Sequence, residues 1–388
     1  MSIKNKLEHL LKHNTFIQKM YRYTMSTVFQ TLGLFVKTDD KLVLMNGHGY
    51  KYNDSPRAIY QKMLELGLVD QYKVVWALHD PDQYDIPGNC KKIKMDTLKY
   101  FITALKAKYW ISCVNIERAL HFKKKKTVYL NTWHGASINL CGNAVSKRND
   151  FHFEHIDYFC ICGEYERSLV MRDFNVRAEA ILPCGYPRND ALYVVSDEIR
   201  QVYRRKLGIP EGKKVVVYAP TWRDSQDGGA SYKLAPPINW AKWKKELGDE
   251  YVVLLRTHAY TTKLMNVEFD DFVYNCIDYP DVNHLLIVAD VLISDYSSVS
   301  LDYSILGKPM ICFGYDYEYY VEARGFYYDL EKVYPGGVLR NEEAILDRLR
   351  NMDYEKECAM VRKFRDEHME LGGNATLTCI NKVFGTNY

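Results

Sequence analysis

Short runs of β-branched, aliphatic and aromatic residues alternate along this chain with segments in which apolar side chains recur every three or four positions. The runs LVLMNG, YKVVWAL, YWISC, TVYLNTW, DYFCICG and EAILPCG predict strands of a first sheet. KKVVVYAPTW, YVVLLRTH, VYNCI, VLISDYS and PMICFGYD predict a second. These runs are continuously apolar, as expected of parallel strands covered by helices on both faces. Between them, Asn53-Asp54-Ser55-Pro56 offers a capping side chain and a proline in the first turn of a helix that stops at Gly67. Two charged amphipathic helices, near 341–350 and 354–370, close the chain. The alternation predicts an α/β protein with two doubly wound, Rossmann-like domains facing a cleft. The expected division is an N-terminal segment 1–38, a first domain 39–195, and a second domain 196–388 that includes the C-terminal helices.

A chain of 388 residues is too long for one ordinary core, which agrees with two domains. Its ten cysteines are scattered without a Cys-x-x-Cys pair, and Cys160 and Cys162 read as buried thiols of a reducing compartment. Neither a G-x-G-x-x-G nor a P-loop pattern occurs, which argues against dinucleotide oxidoreductases and P-loop NTPases. Asp80-Pro81-Asp82 reads as a turn, and no His, Cys or carboxylate group has metal-ligand spacing. No tightly held metal or cofactor is expected.

The net charge of +3 hides an asymmetry. His9 to Thr38 contains no acidic residue, and Lys91 to Lys126 carries eleven Lys/Arg against Asp96 and Glu117, ending in RALHFKKKK. Two such segments in one third of the chain point to an anionic surface, membrane or nucleic acid. Ile17, Tyr21, Met25, Val28, Phe29, Leu32 and Phe35 recur at helical spacing, with Lys19 and Arg22 between them. The longest apolar run there, LGLFV, is far too short to span a bilayer, and no signal-peptide pattern is present. An amphipathic helix at a membrane interface fits. A helix packed on its own domain fits equally well.

In doubly wound domains ligands lie beyond the carboxyl ends of the strands, and there the chemistry-bearing residues collect. TVYLNTWHGAS leaves Trp133, His134, Gly135, Ala136 and Ser137 past a strand of the first sheet. YAPTWRD leaves Trp222 and Arg223 past the first strand of the second sheet, and LLRTH leaves Arg256, Thr257 and His258 past the next. In LISDYSSVSLDY, Ser297 and Ser298 open a helix that carries Asp302 one turn in, and GYPRND adds Arg188. Serine hydroxyls and backbone N–H groups at a helix start bind phosphate, and arginines grip a diphosphate by paired hydrogen bonds. Asp302 is placed to accept from sugar hydroxyls. Singly, each arginine is more often a surface ion pair and each histidine a structural one, but several phosphate-competent groups at successive strand ends describe a site.

Taken in order, WHG, GYPRND, YAPTWRD, RTH, SDYSSVSLDY and KPM resemble the CDP-glycerol glycerophosphotransferases of the teichoic-acid pathway over residues 42–320, as does NDSPRAIYQKML. The resemblance implies a GT-B-like fold with the acceptor on the first domain and the donor mainly on the second. It also implies a CDP-glycerol or CDP-ribitol donor, a lipid-linked (undecaprenyl-type) acceptor, and a peripheral position on the cytoplasmic face of the membrane. His134 matches the histidine thought to act as base. Arg188, Trp222, Arg223, Arg256, His258, Ser297, Ser298 and Asp302 match donor-contacting positions. The family usually has Thr-Pro and then lysines after WHG, whereas this chain has Ala136-Ser137-Ile138-Asn139-Leu140. The expected reaction is transfer of glycerol phosphate to a hydroxyl of the lipid-linked precursor with release of CMP, and a CDP-ribitol-specific ribitolphosphotransferase is the first alternative. The further alternatives are a GT-B nucleotide-sugar glycosyltransferase and a basic nucleic-acid-binding protein. The last would explain KKKK but not the serine and arginine constellation, so no nucleic-acid partner is expected.

Overall fold

The computed structural model describes residues 15–146, 148, 150–221, 236–257 and 265–388. Trp222, Arg223 and His258 lie outside the described residues. Two sheets, each parallel throughout, form the framework. The first contains β1 (Asp39–Asn46), β2 (Lys73–Leu78), β3 (Cys90–Lys94), β4 (Ala107–Ser112), β5 (Val128–Asn131), β6 (Tyr158–Ile161) and β7 (Ile181–Pro183), in the order β3-β2-β1-β4-β5-β6-β7. The second contains β8 (Lys214–Ala219), β9 (Tyr251–Leu255), β10 (Val273–Asn275), β11 (Val291–Ser294), β12 (Met310–Phe313) and β13 (Val338–Leu339), in the order β10-β9-β8-β11-β12-β13.

The expected doubly wound α/β pair is present. β9 and β11 are buried along their whole length, as their uninterrupted apolar sequences require. Strand order reverses between β1 and β4 in one sheet and between β8 and β11 in the other. Such a reversal splays the following connections to opposite faces and opens a crevice at the strand ends.

The N-terminal helix Thr15–Phe35 divides its apolar residues between two directions. Met25 and Phe29 pack on the first domain, Phe29 stacking on Phe101 at 4.5 Å, while Tyr21, Val28, Leu32 and Phe35 face outward. Phe35 is 83% exposed. Among the described residues, no helix is long and apolar enough to cross a membrane. The lysine run is only partly a solvated face. Lys123 pairs with Asp157 at 2.9 Å, and Lys124 donates to the carbonyls of Val36 and Leu105, leaving Lys125 and Lys126 exposed.

Helix Tyr354–His368 packs on the second domain against Tyr334, through Phe364. The final helix, Ala375–Phe384, returns to the first. Phe384 lies 4.5 Å from Tyr72 and 5.0 Å from Tyr109, and Cys379 meets Cys160 with sulfurs 3.5 Å apart.

Candidate active site

A cavity of about 730 Å³ opens between the domains at the two strand-order reversals. His48, beyond β1, and His134, beyond β5, stand on its first-domain wall, with Ser297, Ser298 and Asp302 on the second. Trp133 turns the chain out of β5 with φ of +52°, held by its own N–H donating to Asn131 Oδ1. Its ring fills a cluster with Phe151, Phe153, Phe159 and Phe174. This anchored turn presents His134 to the cavity.

His134 Nδ1 lies 2.9 Å from the Cys113 carbonyl oxygen. A carbonyl only accepts, so Nδ1 carries the ring proton and Nε2 keeps its lone pair. Burial pushes the His134 pKa down to about 4, and the neighbouring His48 acts in the same direction, against the Cys113 carbonyl and Asp54. The His48 ring stacks on that of His134 with centroids 4.7 Å apart and planes 21° from parallel. Burial also lowers the pKa of His48. The site therefore holds a neutral, oriented imidazole against a second one.

Gly135 has φ of +141°, and a Cβ there would lie 2.8 Å from Ser298 Oγ and 3.1 Å from Arg188 Nη2. The space that glycine leaves is taken by the second domain. Thus His134 and Ser298, distant in sequence, share one corner of the cavity. Ser297 Oγ accepts from the Val299 N–H at 3.3 Å, and Ser298 precedes the short helix Val299–Ser304.

Arg188 does not project freely toward a ligand. It is buried, with Nη1 3.2 Å from Asp54 Oδ1 and Nη2 2.7 Å from Asp302 Oδ2. Burial disfavours its charge, but Asp302 and Asp54 more than compensate and raise its pKa. Asp302 also accepts from Asn189 Nδ2 at 2.6 Å. The two groups read from sequence as diphosphate clamp and sugar acceptor are thus partners in an ion pair linking the domains. Asp54 begins helix Asp54–Glu65 with φ of +60°, and the expected side-chain cap from Asn53 is absent. Asp54 Oδ1 instead accepts from the Ser55 N–H at 2.6 Å.

Arg256 lines the cavity while its Nη1 donates to the carbonyls of Cys276, Ile277 and Tyr279. Burial lowers its pKa. Thr257 is buried. Ala136 is buried in the core and Ser137 Oγ lies 3.1 Å from Cys141 Sγ, so neither lines the cavity.

Sequence reasoning missed His48, Asp54 and His284. NGHGY repeats the His-Gly pattern of TWHGA, a signal that was present. His284, stacked on Tyr203 at 4.0 Å, and Asp281, which reaches Arg57 of the first domain at 3.4 Å, had none.

The model of the family described as CDP-Glycerol:Poly(glycerophosphate) glycerophosphotransferase matches residues 28–385. The teichoic acid glycerol-phosphate transferase of Staphylococcus aureus is 31% identical, over 90% of this chain and 91% of the relative. A teichoic acid poly(glycerol phosphate) polymerase of Bacillus spizizenii is 27% identical, over 97% and 99%. The solved structure of the wall teichoic acid polymerase TagF superposes with a TM-score of 0.84 at 28% identity, covering 99% of this chain and 98% of that one. A TagF variant soaked with CDPG gives 0.82 at 27% identity, with the same coverage.

Proposed function

Because this chain belongs to the CDP-glycerol glycerophosphotransferase family and transfers glycerol phosphate from CDP-glycerol to a teichoic-acid precursor, we propose that His134 is its general base. Nε2 takes the proton of an acceptor hydroxyl, and the oxygen attacks the β-phosphorus of CDP-glycerol. The bond from that phosphorus to the bridging oxygen breaks, CMP leaves with both bonding electrons, and a phosphodiester remains. In phosphoryl transfer most of the catalysis comes from positioning and charge neutralisation. The fixed tautomer of His134, across a corner from Ser298, carries this reading.

In this proposal Ser297 and Ser298 hydrogen-bond the diphosphate, and Arg256, Trp222, Arg223 and His258 complete the donor site, the last three by motif. Arg188 is a positioning residue that holds Asp54 and Asp302, and with them both cavity walls. No tightly held cofactor is invoked for the chemical step. The acceptor is a lipid-linked, undecaprenyl-type precursor, met at the cytoplasmic face of the membrane. The outward apolar face of helix Thr15–Phe35 supports that location, since interfacial helices bury such a face at the headgroup boundary.

His134→Ala tests the base assignment. Turnover should be lost while CDP-glycerol binding by calorimetry stays near normal, because a base contributes mainly in the transition state. A stable variant retaining much of its activity overturns the assignment. CDP-ribitol is the competing donor. Separate incubation with each donor and mass analysis of the products should give CMP release and a phosphodiester with CDP-glycerol alone.

A further inference from the structure

We propose that Glu117, His121 and His155 form a binding site for a divalent metal ion of the zinc class, remote from the reaction cavity. Glu117 and His121 lie between β4 and β5, and His155 lies in the segment before β6. One ligand atom from each falls within 4.8 Å of the other two. No sequence spacing announces this set, because its donors come from two separate connections.

The Glu117 side chain is 1% exposed. Its Oε1 accepts from the N–H groups of Phe122 and Lys123. Its Oε2 forms an ion-pair contact with His155 Nε2, although both atoms are buried and the contact does not have the geometry of a hydrogen bond. A buried carboxylate oxygen and a buried ring nitrogen left so are rare in folded proteins and call for an explanation. A shared cation supplies one, since a carboxylate oxygen and an imidazole nitrogen that converge are both metal ligands.

His121 brings the third donor. Its backbone is fixed by helix Thr15–Phe35, with its N–H donating to Ser26 Oγ at 3.0 Å and its carbonyl accepting from Gln30 Nε2 at 2.6 Å. Its ring is 5.8 Å from that of His155 and borders a cavity of about 580 Å³ beside that helix. The cavity gives an ion a way in and leaves a coordination position for water. Two imidazoles and one carboxylate with an open fourth position match zinc, whereas magnesium and calcium prefer all-oxygen shells. A bound ion would fasten together helix Thr15–Phe35 and two loops of the first domain. One of those loops begins at Cys113, whose carbonyl orients His134.

The test uses the full chain, with any affinity tag removed, stripped with chelator and titrated with ZnCl₂, CoCl₂ or MgCl₂. Calorimetry should show one equivalent of Zn²⁺ bound, thermal melting should rise, and Co²⁺ should give visible ligand-field absorption, while Mg²⁺ has no effect. His121→Ala should weaken Zn²⁺ binding at least about ten-fold, because it removes a direct ligand. Its exposed ring makes it the variant that folds, and His155→Ala should act alike where it folds. His152→Ala, which alters a half-exposed neighbouring ring, should bind as the parent does. Absence of one-equivalent binding overturns the site, as does binding that persists unchanged in His121→Ala.

Discussion

The pH dependence of turnover offers a direct test of how the cavity prepares His134. Its pKa is held at about 4 rather than 6.5, chiefly by burial. That difference corresponds to about 3 kcal/mol against the imidazolium in the free enzyme. At about pH 5.5 an ordinary histidine would be about 9% neutral, whereas His134 would be about 97% neutral. Lowering the pH from about 7.5 to 5.5 should therefore cost roughly ten-fold in kcat/KM for an unperturbed base, and almost nothing for this one. CMP release, followed with CDP-glycerol as the varied substrate, reads this quantity. An acid limb centred near 6.5 would refute the reasoning.

Two further features of the profile follow. A bound CDP-glycerol brings two phosphate charges into the cavity and should favour the imidazolium, so the acid limb of kcat should lie above that of kcat/KM. His48→Asn should raise the limb only slightly, because burial outweighs the influence of His48 on His134. Stability is linked in the same direction. Between about 6.5 and 4 the unfolded chain binds a proton at this residue and the folded chain does not. The stability this group contributes is fully present above the unfolded pKa and is lost as pH falls through that window.

Asp302→Asn should lower the melting temperature by several degrees, since a buried Arg188 with one of two carboxylates removed costs about 3 kcal/mol. If Asp302 served only the ligand, CDP-glycerol affinity would fall with melting unchanged. Gly135→Ala should reduce kcat more than ten-fold, because the new methyl meets Ser298 Oγ and the φ of +141° becomes strained at about 1–3 kcal/mol. Normal kcat in that variant would separate Gly135 from the geometry of the corner. Flotation with anionic vesicles should weaken with added salt, and further in a Leu34→Ser, Phe35→Ser double variant and in Lys125→Ala, Lys126→Ala. Equal binding to neutral vesicles would contradict the electrostatic part.

What the sequence displayed, and what it concealed, follows from how each feature is encoded. β9 reads plainly because all five residues of Tyr251–Leu255 are buried and apolar. β3 escapes because CKKIK is an edge strand whose only fully buried side chain is Ile93, between lysines that reach solvent. β13 has two residues and no pattern to find. His134, Ser297 and Ser298 were legible because each follows an apolar run at a strand end. Arg188 and Asp302 were legible as charged residues near a cavity, but their pairing joins positions 114 apart and has no local signature. The amphipathic stripe of helix Thr15–Phe35 could not tell a domain from a membrane, since Met25 and Phe29 turn one way and Leu32 and Phe35 the other.

The segment after His134 shows why the chain can depart from the family's Thr-Pro-lysine pattern there and keep its donor motifs. Residues 136–141 run along the second domain and are attached to it largely through backbone groups. The Tyr327 N–H donates to the Ile138 carbonyl, and the Leu140 N–H donates to the Gly325 carbonyl at 3.1 Å. Asn139 forms an isolated bridge with Phe326, and its Nδ2 reaches the Tyr296 carbonyl at 3.0 Å. Tyr296 immediately precedes Ser297. The distance between the proposed base and the donor serines is therefore set by a short pairing of main chains, to which the side chains of Asn139, Arg324 and Tyr327 add hydrogen bonds. Main-chain pairing tolerates changes in side chains, so Ala136 and Ile138 pack into the core with the pairing intact. On this account Asn139→Ala should disturb the relation of His134 to Ser298 more than any change at Ala136 that still fits the core. The disturbance should appear as a lower kcat with CDP-glycerol affinity retained, and an unchanged kcat would assign the spacing to the backbone pairs and to Arg324 and Tyr327.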